Sequence, residues 1–298
     1  MLAEAGGLTP ARVRELYEAT YREMRAAGYT AVGEFHYVGF DEALAAADAA
    51  QVAGMSFVCL YVAYGRGAIE RFRQPSVNGY LRDLERLRGA GLTVGIAPHS
   101  VRACPREWLE TLGGYARAEG LVLHVHADEQ PREIEESLEE HGLRPIELLA
   151  DTGCLSERTT VVHATHASES ELDLLAEAGA GICVCPTTEA NLGDGFLPVE
   201  GVLSRGIAIC IGSDSNTRID PLEELRELEG IARRQELRRN VIPLARLLKI
   251  GAADGARSLG LTEWDPVQVD LSHPSLAGVR ESDLEGALIF GCGADVFC

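Results

Sequence analysis

The sequence predicts an α/β fold, a parallel sheet covered by helices, on three observations. Short apolar runs alternate with stretches of helical period along most of the chain. The runs are rich in Val, Ile, Leu and Cys without polar alternation, the pattern of strands buried on both faces. The connections are short, and no GxGxxG or GxxxxGK[ST] loop follows any strand, which weighs against nucleotide-binding folds. A barrel and an open, doubly wound sheet both satisfy this pattern.

The first element is a helix. Thr9 is its N-cap, Pro10 fits the first turn, Val13, Leu16, Tyr17, Tyr21 and Met24 share a face, and Gly28 ends it. A strand is expected over Tyr29–Phe35 and a helix over Asp41–Ala53. The run MSFVCLYV, residues 55–62, reads as a buried strand. Helices near Val77–Arg88 and Pro105–Ala118 precede strands Leu92–Ala97 and Leu121–His126. Two helices, Pro131–Glu140 and Pro145–Thr152, lead to the strand Thr160–His163. A helix over Glu169–Ala178 precedes the strand Gly181–Cys185, and a loop with a short helix leads to the strand Ile207–Gly212. Helices Pro221–Arg238 and Pro243–Leu259 follow. After about Gly260 the pattern changes, and DPVQVDLSHPSLAG and GALIFGCGADVFC read as short strands and turns, a partial β segment over 261–298. Seven strands are one short of a closed (β/α)8 barrel.

The 298 residues carry 46 acidic and 27 basic side chains, a net charge of −19, which excludes nucleic acid and anionic membrane as partners. No apolar run reaches the ~18–20 residues of a membrane span, and the first residues lack the layout of a signal peptide. The eight cysteines include no CxxC pair and several lie in strand-like runs, so they read as reduced, buried thiols of a cytoplasmic protein.

Ionisable residues gather where strands end, the face on which parallel α/β folds build their sites. The ends are His36-Tyr37, His99-Ser100-Val101-Arg102, His126-Ala127-Asp128-Glu129, His163-Ala164-Thr165-His166 and Asp214. Singly, each has a structural reading: a histidine bonded in the core, Asp214 or Asp128 as a cap, Arg102 as a loop charge. Five such ends together point to chemistry. His126 and Asp214 are donors of the kind zinc takes, and Glu129, three residues past His126, is placed to move a proton. His124 and His126 share one face of their strand, which leaves a His124/His126 pair as another donor set.

The segments EFHYVGF, APHSVRA, HVHADEQPREIE, VVHATH, CPTTEANLGDG and IGSDSN occur in an order and spacing that resemble the amidohydrolase superfamily, most nearly its branch acting on N-formimino-L-glutamate in histidine degradation. The resemblance covers about residues 9 to 260 and implies a (β/α)8 TIM-like barrel of the metal-dependent hydrolase type. It implies one divalent metal ion, zinc, held by His126 and Asp214, with Asp214 also helping to deprotonate water. Glu129 is implied as the acid/base and His163 as the residue that polarises the substrate. Tyr37, His99 and Arg102 are implied to bind a small anionic substrate, and a homodimer is typical. The reaction implied is hydrolytic deimination to N-formyl-L-glutamate and ammonia.

The sequence departs from that pattern in one respect. The superfamily carries an H-x-H pair at the end of its first barrel strand, and no H-x-H precedes residue 124 here. The barrel is therefore expected to lack its first strand, with zinc occupancy low and turnover weak, unless His36 fills in. Two other readings stand beside the enzyme: a non-catalytic or partner-completed barrel, and a deaminase of nucleobase-like substrates.

Overall fold

The structure is a computed structural model and describes residues 7–67, 69–215 and 218–298. All seven predicted strands are present: β1 (Ala31–His36), β2 (Ser56–Ala63), β3 (Val94–Pro98), β4 (Leu123–Ala127), β5 (Thr159–His163), β6 (Gly181–Val184) and β7 (Ile209–Ile211). They form one parallel sheet in sequential order, β1 to β7, so every C-terminal strand end lies on one rim. The helices are α1 (Pro10–Ala26), α2 (Phe40–Ala53), α3 (Val77–Gly89), α4 (Arg106–Glu119), α5 (Pro131–His141), α6 (Pro145–Asp151) and α7 (Glu169–Ala178). Then come α8 (Pro186–Leu192), α9 (Val199–Ser204), α10 (Pro221–Glu236), α11 (Leu244–Gly251), α12 (Ala253–Ser258) and α13 (Leu284–Gly291).

Local chemistry explains the helix ends. Thr9 Oγ1 accepts from Arg12 N, as its position before Pro10 predicts. Ser168 and Glu171 form a reciprocal capping box at the start of α7, and Asp220 caps α10 through the amides of Leu222 and Glu223. Gly120 ends α4 at φ +63, a left-handed conformation that is cheap only without a Cβ.

Strand alternation separates two layers. Cys59, Tyr61 and Ala63 of β2 and Leu123, Val125 and Ala127 of β4 join the main core against the helices. Val58, Leu60 and Val62 face the other way, into a smaller cluster with Ala97 and Val122. His124 and His126 alternate with the helix-facing residues of β4 and so share this inner face. The sheet curls, because β1 and β7, at opposite ends of the strand order, line one cavity of about 600 Å3. Successive residues of both strands touch it, Ala31 to Phe35 and Cys210 to Asp214. A strand's side chains alternate, so contact with every residue in turn marks its backbone edge. Among the described residues no strand joins β1 to β7, and Tyr17, Tyr21 and Met24 of α1 and Gly255, Ala256 and Leu259 around α12 close over the opening.

Two expectations are corrected. The helix over 243–259 breaks at Ala252 (φ −133°, ψ −85°) into α11 and α12. The break falls in GAADG, where Gly251 and Gly255 weaken helical propensity. The segment over 261–298 forms no strand: it holds one α-helix and short 3-10 turns joined by loops, and one antiparallel bridge, Val269 to Phe297, is its only β pairing among the described residues. The run LEGALIFG forms α13, because a short apolar run does not distinguish helix from strand and tertiary contacts decide. Here Arg226 of α10 donates to the carbonyls of Ile289 and Cys292 (3.0 and 2.6 Å).

Gly113 shows how closely the helices pack. A Cβ there would lie 2.8 Å from the Gly153 carbonyl oxygen and 3.1 Å from Cys154 Cα, both backbone atoms that cannot swing aside. Gly113→Ala should lower stability by about 1–3 kcal/mol in urea unfolding. An unchanged midpoint would show that α4 does not rest on residues 153–154.

Candidate active site

The rim formed by the ends of β3, β4, β5 and β7 brings most of the predicted residues together. Its backbone is unusual there. Asp128 (φ +55), His163 (+77), Ala164 (+54) and Asp214 (+45) are left-handed without being glycine. Such conformations are costly and gather where function over-determines geometry. They also change which way residues face. Alternation would place His163 with Val161 on the helix side, yet its ring stacks beside that of His126 at 5.6 Å between centroids.

His126 is aimed by one acceptor. The His99 carbonyl receives its backbone N–H (3.0 Å) and its ring Nδ1–H (2.8 Å). Nε2 of the neutral ring is left with a free lone pair, the arrangement of a metal-ligating histidine. Burial, with His99 and His163 nearby, holds the ring well below the usual imidazole range.

Glu129, His163 and Asp214 converge. His163 Nε2 lies 3.7 Å from Glu129 Oε1 and 3.8 Å from Asp214 Oδ2. Burial raises both carboxyls above their ordinary range, partly offset by His163, so each holds a proton more readily than in water. Burial opposes the His163 cation, but the bond to Glu189 and the carboxylates of Glu129 and Asp214 outweigh it and raise its pKa.

The three residues expected to bind substrate, Tyr37, His99 and Arg102, lie alongside. The Tyr37 ring is 5.9 Å from that of His99, which in turn lies 4.5 Å from Tyr64. Burial and the Arg102 charge push His99 down to about 4, so it is neutral near pH 7. Of the residues implied to bind an anionic substrate, Arg102 is therefore the one that carries positive charge. Its guanidinium stands 3.8 Å from Glu129 Oε2 and 3.7 Å from Glu133 Oε1.

Three expectations about metal donors can now be judged. His36 cannot fill in: Nδ1 meets Glu34 Oε2 (3.0 Å) and Nε2 meets the Gly39 carbonyl (3.1 Å), so both nitrogens are engaged. His124 donates from Nε2 to the Ser258 carbonyl at 2.8 Å, so only its Nδ1 is left to join His126 on a metal. His126 and Asp214 remain, and among the described residues no group of three His, Cys, Asp or Glu side chains is placed to hold a metal ion. Catalytic zinc takes three protein ligands and an open position. This donor set does not fit it.

Two residues were not singled out from sequence. Glu133 is fully buried, accepts the Glu129 backbone N–H (3.1 Å) and faces Arg102. Its spacing of four from Glu129 was the available signal. Glu189 is 3% exposed, and its Oε1 lies 3.2 Å from His163 Nδ1. It sits inside PTTEANLGDG, whose pattern gives no hint that one member bonds a histidine on another strand.

A curled parallel sheet with histidines and carboxylates at its strand ends defines a hydrolase of the barrel type. The sequence matches the amidohydrolase family over residues 2–263, and the chain belongs to that family, whose hydrolases act on C–N bonds. It is 36% identical to the formimidoylglutamate deiminase of Pseudomonas aeruginosa over 96% of this chain and 71% of that protein. It is 31% identical to a 5-methylthioadenosine/S-adenosylhomocysteine deaminase of Halobacterium salinarum over 64% of this chain but 47% of that one. The fold matches an adenosine deaminase from Xanthomonas campestris with bound zinc (TM-score 0.88, 22% identity, 97% of this chain and 68% of that one). No helix of the described residues is long and apolar enough to cross a membrane.

Two outcomes follow from the site. Dialysed against one equivalent of zinc, the 298-residue chain should retain well under one ion per molecule by atomic emission. Stoichiometric retention would mean that a third donor is in place. Burial lowers His124 to about 4 from 6.5, so the unfolded chain takes up this proton first as pH falls. Its contribution to stability is therefore full above about pH 6.5 and is lost down to pH 4, at about 1.4 kcal/mol per unit. His124→Gln, which can still donate to Ser258, should flatten the stability–pH curve in that window. An unchanged slope in denaturant titrations would contradict it.

Proposed function

We propose that the chain is the catalytic rim of a hydrolase that deiminates N-formimino-L-glutamate to N-formyl-L-glutamate and ammonia. The observation that carries this reading is the charge layout. Glu129, Asp214, Glu189 and Asp194 act on one another around His163, and Arg102 supplies the guanidinium at their edge. A formimino group is a strong base and carries a positive charge near neutrality, so it suits the carboxylates. The glutamate carboxylates suit Arg102, with Tyr37 and His99 as neutral walls. Adenosine and 5′-methylthioadenosine offer neither charge. The 36% identity to a formimidoylglutamate deiminase supports the same choice over the deaminases of nucleosides, which are also similar.

The reaction adds water to the formimino carbon and breaks its bond to the terminal nitrogen. Arg102 binds the anionic end and fixes the register of the chain. Glu129 reacts as the carboxylate, made a stronger base by burial: it takes a proton from the attacking water and delivers it to the departing nitrogen, and the remaining hydroxyl proton is lost as the formyl carbonyl forms and ammonia leaves. His163 Nε2 faces the same point and hydrogen-bonds the developing tetrahedral centre. The donor set for zinc is incomplete here, so no step is assigned to a metal.

Equilibrium binding separates the substrate classes without requiring turnover. The chain should bind N-formimino-L-glutamate at least tenfold more tightly than 5′-methylthioadenosine by calorimetry. Arg102→Ala should weaken it by about 1.5–3 kcal/mol, the value of a charged hydrogen bond. Preference for the nucleoside would overturn the assignment. Where ammonia release is measurable, Glu129→Gln should abolish it while leaving substrate binding within a few-fold.

A further inference from the structure

We infer that Glu189 is a positioning residue: it selects the ring orientation and tautomer of His163, so that Nε2 is the nitrogen facing Glu129 and Asp214. The inference rests on the reading of His163 as the group that meets the substrate.

An imidazole can flip about its Cβ–Cγ bond, exchanging nitrogen for carbon at each edge, and its neutral form can carry the proton on either nitrogen. Something must choose. The His163 ring is fully buried, and Nε2 has no hydrogen-bond partner in the protein. The hydrogen-bond partner of Nδ1 is Glu189, 3.2 Å from its Oε1. A carboxylate only accepts, so Nδ1 must carry a proton.

Glu189 is itself fixed. The Cys185 backbone N–H donates to the same Oε1 at 2.9 Å, and the Glu189 backbone N–H returns to the Cys185 carbonyl at 2.9 Å. The carboxylate is thus clamped at the junction of β6 and α8, while His163 ends β5. The segment PTTEANLGDG thereby acquires a task beyond connecting β6 to β7: it carries the orienting group for a histidine on the neighbouring strand. Thr188, the residue before Glu189, ties the same segment to β7 through its hydroxyl, which donates to the Ser213 carbonyl at 2.9 Å beside Asp214.

Glutamine at 189 keeps an oxygen able to accept from both Cys185 and His163, whereas alanine keeps neither bond. Ring-selective ¹H–¹⁵N spectra of the 298-residue chain, with His163 assigned through His163→Gln, read the proton position directly and without substrate. The wild type and Glu189→Gln should show a proton on Nδ1. In Glu189→Ala the proton should leave Nδ1 for Nε2, the form a free histidine ring prefers. A wild-type ring with its proton on Nε2 alone overturns the proposal, whatever the variants do, and so does a Glu189→Ala protein that folds and keeps the Nδ1 proton. The expected spectra with no preference for N-formimino-L-glutamate in calorimetry would leave the positioning role intact and remove only the substrate assignment.

Discussion

The carbonyl of His99 is the point on which the site turns. It accepts two hydrogen bonds from His126, one from the backbone and one from the ring. The first bond joins the ends of β3 and β4, and the second fixes the ring that the first brings near. Neighbouring groups inherit this placement. The His163 ring lies beside that of His126 at 5.6 Å, and the His99 ring packs against it at 4.8 Å. A change that tilted the end of β3 would therefore move the imidazole of β4 together with the two rings stacked about it.

Around this frame the protein concentrates carboxyl groups it does not neutralise one for one. Glu133 and Glu224 are buried and held up to about 7, chiefly by loss of solvent. Asp128 is pushed to about 9 by burial and by Glu171, despite Arg144 at 4.0 Å. Buried acids of this kind are destabilising when charged, so the rim carries a stability cost that the apolar layers beneath it offset. The formal charge of −19 counts these buried acids as ionised, so each one that holds its proton makes the folded chain less negative than that figure.

The strands were legible because burial on both faces leaves continuous apolar runs, and the first helix start because Thr9 and Pro10 announce it chemically. The site was legible where a residue follows its strand directly, as with His126 and Glu129. It was not legible where the backbone turns left-handed, since nothing in VVHATH says that His163 leaves the alternation of β5. Nor could sequence show that His36 bonds through both ring nitrogens and His124 through one, or that burial leaves His99 uncharged. The His124 bond reaches Ser258, far along the chain, whereas His36 is bonded within three residues, by Glu34 and Gly39. The run GALIFG was misjudged because apolar length alone does not choose between helix and strand.

The interval between β1 and β7 has a mechanical meaning. In a closed barrel every strand is braced from two sides, and a displacement of one is shared around the ring. Among the described residues the bracing stops at two strands, each with a row of backbone amides and carbonyls that no described strand receives. The middle of the sheet, β3 to β5, has neighbours on both sides and carries His126 and His163. The stiffest part of the fold thus lies under the histidines, while its softest margins are the walls of the cavity. Amide protons of β1 and β7 should be the first in the sheet to exchange with solvent, opening locally well before the centre unfolds.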